Sequence, residues 1–392
     1  MSENKETKKS AKSANYLSAK ESRRISRQNR KITTAMEKKY RRKNVPESEY
    51  LTQMRDPRNV VEFDDLHSYF FTDTGTVKAV DGVSYEVPQG MTVGVVGESG
   101  CGKSVTSLSL MQLLQRPQGQ IVSGSIRLNL GDKAYDVAKM PMSAMEQIRG
   151  NQVSMIFQEP MTSLNPVFRI GAQVDEVIKL HNPTWTKQQV KTRTIEMLEM
   201  VGIANSEGVY KMYPHELSGG MRQRVMIAIA LCCQPKLLIA DEPTTALDVT
   251  IQAQIMDLIL ELNRKLDMGV MLITHDLSVV AEVCSRVVVM YLGQIVEEAN
   301  VDAIFDHPGH PYTVGLIRSI PRIEGERAKR LYQIRGTVPM LDQIPTGCRF
   351  APRCPFAQPR CFEEMPELQA VSPRQSVRCW RAGESFEEGG EA

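Results

Sequence analysis

Apolar positions along the 392-residue chain change period several times, and each change predicts a different kind of element. Val60–Phe71 and Val77–Val87, separated by Thr74-Gly75, read as two strands joined by a turn. Met91–Val96 is a short apolar strand, and a helix follows from about Lys103 to Leu114. Residues 120–160 read as further strands and turns that end in the apolar strand Val153–Phe157. From about Val167 to Leu231 the spacing is helical, with apolar positions at Val190, Ile195, Leu198 and Val201. Leu237–Ala240 and Val270–Thr274 are short fully apolar strands, with a helix over Ile251–Leu266 between them. Strands alternating with helices predict an α/β fold with a mostly parallel sheet, into which the helical block is inserted. Past Asn300 the texture shifts to Pro-rich loops, a helix around Tyr312–Ser319 and a cysteine cluster from Cys348 to Cys379. No internal repeat is evident.

Composition narrows the class. The chain is 42% hydrophobic and 24% charged, as expected of a soluble globular protein. Its longest near-continuous apolar run, Val225 to Cys233, is about half of what a bilayer span needs. The N-terminus is lysine-rich and lacks the apolar stretch of a secretory signal. The expectation is a cytosolic protein whose membrane role, if any, runs through partner chains. Eight cysteines in that setting point to metal ligands or plain thiols before disulfides. The net charge of +2 hides an asymmetry: residues 1–46 hold fifteen Lys/Arg against four Glu, which leaves the remainder near −9. Residues 1–50 are therefore expected to form a basic, disordered arm, at most a frayed helix around Ala35–Arg42. Such an arm can attract anionic lipid or nucleic acid by charge alone.

The first chemical motif is Gly97-Glu98-Ser99-Gly100-Cys101-Gly102-Lys103-Ser104, a complete phosphate-binding loop between an apolar strand and a helix. Glycines let backbone N–H groups curl around β/γ-phosphates at the positive end of the helix. Lys103 adds a point charge, the Ser104 hydroxyl is placed for Mg²⁺, and Val105 lies in the first turn. Cys101 sits beside that helix end and a lysine, a setting expected to lower its thiol pKa, although the favoured reading of the residue is a small filler with no chemical role. Leu237–Ala240 runs into Asp241 and Glu242. Asp241 at the strand end suits Mg²⁺, and Glu242, one residue on, suits the general base for an attacking water. His275 follows the strand Val270–Thr274, where it can reach a γ-phosphate oxygen, and Gln158 follows Val153–Phe157, where it can sense the same phosphate through Mg²⁺ or water.

Leu217-Ser218-Gly219-Gly220-Met221 then opens a helix, and Ala246-Leu247-Asp248 and Thr274-His275-Asp276 follow in order. With these residues the chain resembles the ABC ATPase superfamily. The resemblance implies a P-loop ABC ATPase with a nucleotide-binding domain over 51–300: a RecA-like core, an antiparallel β subdomain and a helical subdomain over about 160–232. It also implies that Ser218, Gly219 and Gly220, with Asp248 of the D-loop, meet the ATP held by a second subunit's phosphate loop. Met221 stands where many members carry Gln, which removes a polar contact to the nucleotide. Such ATPases stack an aromatic on adenine upstream of the phosphate loop; Phe70 is the candidate, with Tyr69 and Phe71 beside it.

More narrowly, Tyr213-Pro214-His215-Glu216, Phe157–Pro166, Pro243–Thr250 and His307-Pro308-Gly309-His310-Pro311-Tyr312-Thr313 resemble the oligopeptide/dipeptide importer ATPases over about residues 60–382. That resemblance implies ATP and Mg²⁺ as cofactors and a small Cys-rich domain over 301–392. It implies two permease chains, a second related ATPase subunit, an extracellular peptide-binding protein and no nucleic acid. The expected place is the cytoplasmic face of the membrane. Other cargo, such as a nickel chelate or an oligosaccharide, stays open, as does a soluble ABC ATPase without a transport role. Cys348, Cys354, Cys361 and Cys379 fall within 32 residues, and four thiolates suit tetrahedral zinc or an iron–sulfur cluster. The spacing lacks the paired C-x-x-C of zinc ribbons, the family resemblance points to a [4Fe–4S] cluster, and unligated packing remains a third reading. Cys232, Cys233 and Cys284 read as core residues.

Overall fold

The structure, a computed structural model, describes residues 18–42, 44–158, 163–244, 248–320, 332–341, 343–384 and 386. The expectations that fall on residues 1–17, 159–162 and 245–247 lie outside them.

The centre of the molecule is an eight-stranded sheet. Its order is Gln369–Ser372, Gln375–Val377, Gln294–Asn300, Arg286–Tyr291, Thr92–Val96, Gly269–Thr274, Leu237–Asp241 and Val153–Ile156. The last five pair in parallel and the first three join by antiparallel pairing. The parallel strands are covered on both faces, which is why they read as unbroken apolar runs. Leu237, Ile239, Met271, Ile273, Val288 and Met290 face one core, and Leu238, Ala240, Val270, Leu272, Val287 and Val289 face the other.

One face is covered by a five-stranded antiparallel sheet, whose long hairpin Asn59–Phe71 and Thr76–Pro88 supplies Val61, Phe63, Leu66, Val80, Val83 and Tyr85. The other face carries the helices Val249–Leu266 and Leu277–Val283 and the inserted block Ile170–His181, Lys187–Met200, Ser206–Lys211 and Gly219–Leu231. The periodicity anticipates Val249–Leu266 and the inserted block, but not Leu277–Val283, nor Met142–Ile148, a helix within the stretch expected to hold strands and turns. The helix after the phosphate loop stops at Leu110 rather than Leu114.

Both ends depart from expectation. Within the arm expected to be disordered, residues 19–40 form a helix that opens on a Ser18/Glu21 capping box. It docks through hydrogen bonds rather than an apolar stripe. Asn29 donates to the carbonyls of Thr72 (2.7 Å) and Gly75 (3.2 Å), and Glu37 accepts from Arg116 and Gln120, each at 2.8 Å. The Arg116 guanidinium lies over the Tyr40 ring, 3.2 Å from its centroid. An apolar-period reading does not register such a polar seam. At the other end, Gln369–Ser372 and Gln375–Val377 extend the central sheet, so the cysteine-rich segment is continuous with it. Glu297, fully buried, fastens that junction by accepting from the backbone N–H groups of Gly309 (2.7 Å) and His310 (3.0 Å) and from Gln375 Nε2 (2.7 Å).

Candidate nucleotide site

The phosphate loop leaves the strand Thr92–Val96 and enters the helix Lys103–Leu110. Two of its glycines are dictated by what lies behind them. Gly97 (φ +146°) and Gly102 (φ +104°) would each drive a Cβ to 2.2 Å from a backbone oxygen, of Met290 and Ala79 respectively. The loop is thus seated on backbone, and its open side carries the exposed Ser99 and Gly100. Lys103, only 6% exposed, donates from Nζ to the carbonyls of Gly97 (2.7 Å) and Glu98 (3.1 Å), which fixes its ammonium at the centre of the curl.

Cys101 bears out the filler reading and corrects the expected lowering of its pKa. Its side chain is 1% exposed and packs in the core under the loop, so burial pushes the thiol up despite Lys103 3.8 Å away. A thiol in that position is an inert filler.

The parallel order of three strands brings the acidic and switch residues to one edge. Ser104 Oγ donates to Asp241 Oδ1 at 3.1 Å, and burial raises the Asp241 carboxyl above its ordinary pKa. A divalent cation at this pair offsets that burial, and the hydroxyl and carboxylate are the hard oxygen donors Mg²⁺ selects. Glu242 adopts φ +47°, a left-handed backbone at the strand end. Its two oxygens then meet Gln158 Nε2 (3.0 Å) and His275 Nδ1 (3.1 Å). Side chains 84 and 33 residues away in sequence thus converge on a single carboxylate.

Ser218 caps the helix Gly219–Leu231 by accepting from the Met221 N–H at 3.3 Å. Ser218 and Gly219 are exposed, while Gly220 packs against Ile251, whose Cγ2 stands 3.2 Å from where a Cβ would sit. The Met221 side chain turns to the helical core. Asp248 caps Val249–Leu266 through the Ile251 N–H at 3.0 Å and is also exposed. Among the aromatics before the loop, Phe71 is buried and the Tyr69 hydroxyl is engaged with Asp81 at 2.5 Å. Phe70 is half-buried against Gly119.

Cys348, Cys354, Cys361 and Cys379 line one small cavity with Phe350, Phe356 and Trp380. Burial raises the thiols of Cys354, to about 12, and of Cys379, to about 11. Among the described residues no group of three or more Cys, His, Asp or Glu is arranged to hold a metal ion. Cys232 and Cys284 are core residues as expected, and Cys233 is half-buried.

Sequence reasoning missed a layer behind the loop. Tyr312 and Arg353 each bond to Glu98, across 214 and 255 residues of chain. The one available signal was an arginine immediately before Cys354, in a segment read for its cysteines alone.

Comparison with known proteins follows the same division. The ABC transporter family matches residues 80–245, and the family described as oligopeptide/dipeptide transporter, C-terminal region, matches residues 296–361. The chain is 54% identical to the oligopeptide transport ATP-binding protein AppD of Bacillus subtilis over 82% of its own length and 96% of that protein's. It is 48% identical to the dipeptide transport ATP-binding protein DppD of Haemophilus influenzae over 82% and 94%. Among solved structures, the dimeric ATP-binding cassette MJ0796 bound to ADP and Pi superposes with a TM-score of 0.54 at 24% identity, covering 62% of this chain and 98% of that one. That likeness speaks to the fold. The chain belongs to the oligopeptide/dipeptide branch of the ABC transporter ATP-binding proteins.

Proposed function

We propose that this chain hydrolyses MgATP as one half of a two-chain sandwich and so powers the import of oligopeptides or dipeptides. The observation that carries the reading is the convergence of Gln158 and His275 on Glu242, beside the Ser104–Asp241 pair and the seated phosphate loop. Backbone N–H groups from Gly97 to Val105, with Lys103, bind the triphosphate, and Phe70 stacks on adenine. Mg²⁺, held by Ser104 and Asp241 with Gln158 in reach, neutralises charge building on the β/γ-phosphates. Glu242 accepts the proton of the attacking water, and His275 holds the γ-phosphate in line. Ser218, Gly219, Gly220 and Asp248 serve the nucleotide of the other subunit, so that ATP holds the pair together and hydrolysis releases it.

The partners are two transmembrane permease subunits, a second, related ATPase subunit and an extracellular peptide-binding protein. The chain attaches peripherally at the cytoplasmic face; no helix among the described residues is long and apolar enough to cross a membrane. Phe157, Val167 and Phe168, 44%, 70% and 55% exposed, flank the entry to the helical block and suit a permease segment. The four-cysteine cavity has the donor set for a [4Fe–4S] cluster or zinc, though its side chains are not placed to ligate, and no step above runs through it. The test is to purify the membrane complex through this chain and measure ATP-dependent uptake of labelled peptides into proteoliposomes. Uptake abolished by Glu242→Gln supports the reading; a complex without permease chains, or one that moves only non-peptide cargo, overturns it.

A further inference from the structure

Glu98 occupies a position that the phosphate-loop pattern leaves free, because phosphate binding there needs backbone N–H groups and no side chain. The structure nevertheless grips this one residue at three points. Its carboxylate receives both terminal nitrogens of Arg353, at 2.7 and 3.0 Å, in a bidentate pair. Its backbone N–H donates to the Tyr312 hydroxyl at 2.8 Å, and its carbonyl accepts from Lys103 Nζ at 3.1 Å. Two of the three holds come from the C-terminal segment.

That segment is itself fixed. Tyr312 is fully buried and packs at a tilt against Tyr291 and Phe350, with ring centroids 4.7 and 5.3 Å away. The Arg353 side chain is 4% exposed; its Nε donates to the Arg335 carbonyl at 3.0 Å and Nη1 also reaches the Tyr291 hydroxyl at 3.3 Å. Ion pairs on open surface carry little, but a guanidinium enclosed this far loses its compensation when the carboxylate goes. The neighbouring Arg349 does the same for the hairpin beneath the loop, bonding to Asp81 and the Leu292 carbonyl. Movement of Glu98 carries Gly97 and Ser99 with it, and those flank the N–H groups that meet phosphate.

We propose that Arg353 and Tyr312 are positioning residues for nucleotide binding, holding the phosphate loop from behind in its phosphate-accepting curl. The inference rests on the reading of the Lys103 loop as the ATP site. Neither residue touches the reacting atoms, so their effect falls on affinity and not on the chemical step. It also makes the C-terminal segment a part of the nucleotide site, although it lies about 250 residues along the chain.

The test uses the full-length chain, with MgATP affinity by calorimetry and turnover in the assembled transporter. Arg353→Ala and Glu98→Gln each weaken MgATP binding and raise KM by about tenfold, the scale of one charge-assisted hydrogen bond, with kcat within about twofold. Tyr312→Phe has a smaller effect, about threefold. Because the pair acts as a unit, the double variant binds no more weakly than either single one. If Arg353→Ala does not fold, Glu98→Gln carries the test, since it leaves the C-terminal packing in place. Lys103→Ala separates the two readings. If it binds MgATP normally, the assignment of the loop is wrong. If it loses binding while Glu98→Gln and Arg353→Ala bind as wild type, or while their effects add independently, the clamp is overturned.

Discussion

The phosphate loop and the signature turn are both helix N-termini, and the chain treats them in opposite ways. The loop is backed by the carbonyls of Ala79 and Met290 and held by the Arg353–Glu98 pair, with Lys103 6% exposed. The turn at Ser218 caps its own helix and leaves Ser218 and Gly219 open to solvent. One terminus is preorganised before any ligand arrives, and the other stands open to solvent. Such a division suits a ligand that binds first to one chain and then recruits a second. In the proposed sandwich the open terminus supplies the energy of recruitment, because the seated one is engaged already.

The largest expected effect tests the seated side. Glu242→Gln removes the base while keeping hydrogen-bonding capacity toward Gln158 and His275, so kcat falls by about 10²- to 10⁴-fold and MgATP affinity is retained. Single-turnover measurement of ATP cleavage reads this directly. Turnover at the wild-type rate would place the base elsewhere.

A sharper test addresses the open side. Ser218→Asp keeps a good helix cap but aims a carboxylate at the triphosphate of the partner. The single chain therefore binds MgATP as before, while ATP-dependent pairing weakens by about a hundredfold, measured by sedimentation with the Glu242→Gln background to block hydrolysis. Equal pairing in both proteins would mean that Ser218 never meets a triphosphate.

The two regions also differ in how far the sequence revealed them. The loop, the Asp241–Glu242 strand end and the Ser218 turn are short contiguous patterns whose spacing follows from local backbone geometry, so Lys103, Asp241 and Ser218 were legible without a fold. Parallel strands announced themselves because Val270–Thr274 and Leu237–Ala240 are buried on both faces. What could not be read depends on chain-distant pairing between polar groups. Arg353 meets Glu98 across 255 residues, and Asn29 and Glu37 dock a helix with no apolar stripe. The Cys101 error has the same root: a helix end and a lysine are visible locally, but the core that encloses the thiol is assembled from elsewhere.

The smallest effect concerns the support behind the seated loop. His310 caps the helix Pro311–Arg318, its Nδ1 accepting from the Tyr312 N–H at 3.0 Å, and burial lowers its pKa to about 3. A group depressed on folding lends stability that is complete above its unfolded value, near 6.5, and is lost as pH falls from there toward 3. Between pH 7 and pH 5 this single imidazole therefore withdraws about 2 kcal/mol from the folded state. His310→Asn keeps an acceptor for the Tyr312 N–H and removes the titration. Urea unfolding of the two proteins at both pH values isolates the effect: the difference between them shrinks by about that amount on acidification. Because Tyr312 also holds Glu98, the same acidification reaches the phosphate loop and bypasses Ser218. An identical pH response in His310→Asn would free the seated side from this dependence and leave its rigidity to the Ala79 and Met290 carbonyls and the Arg353 pair.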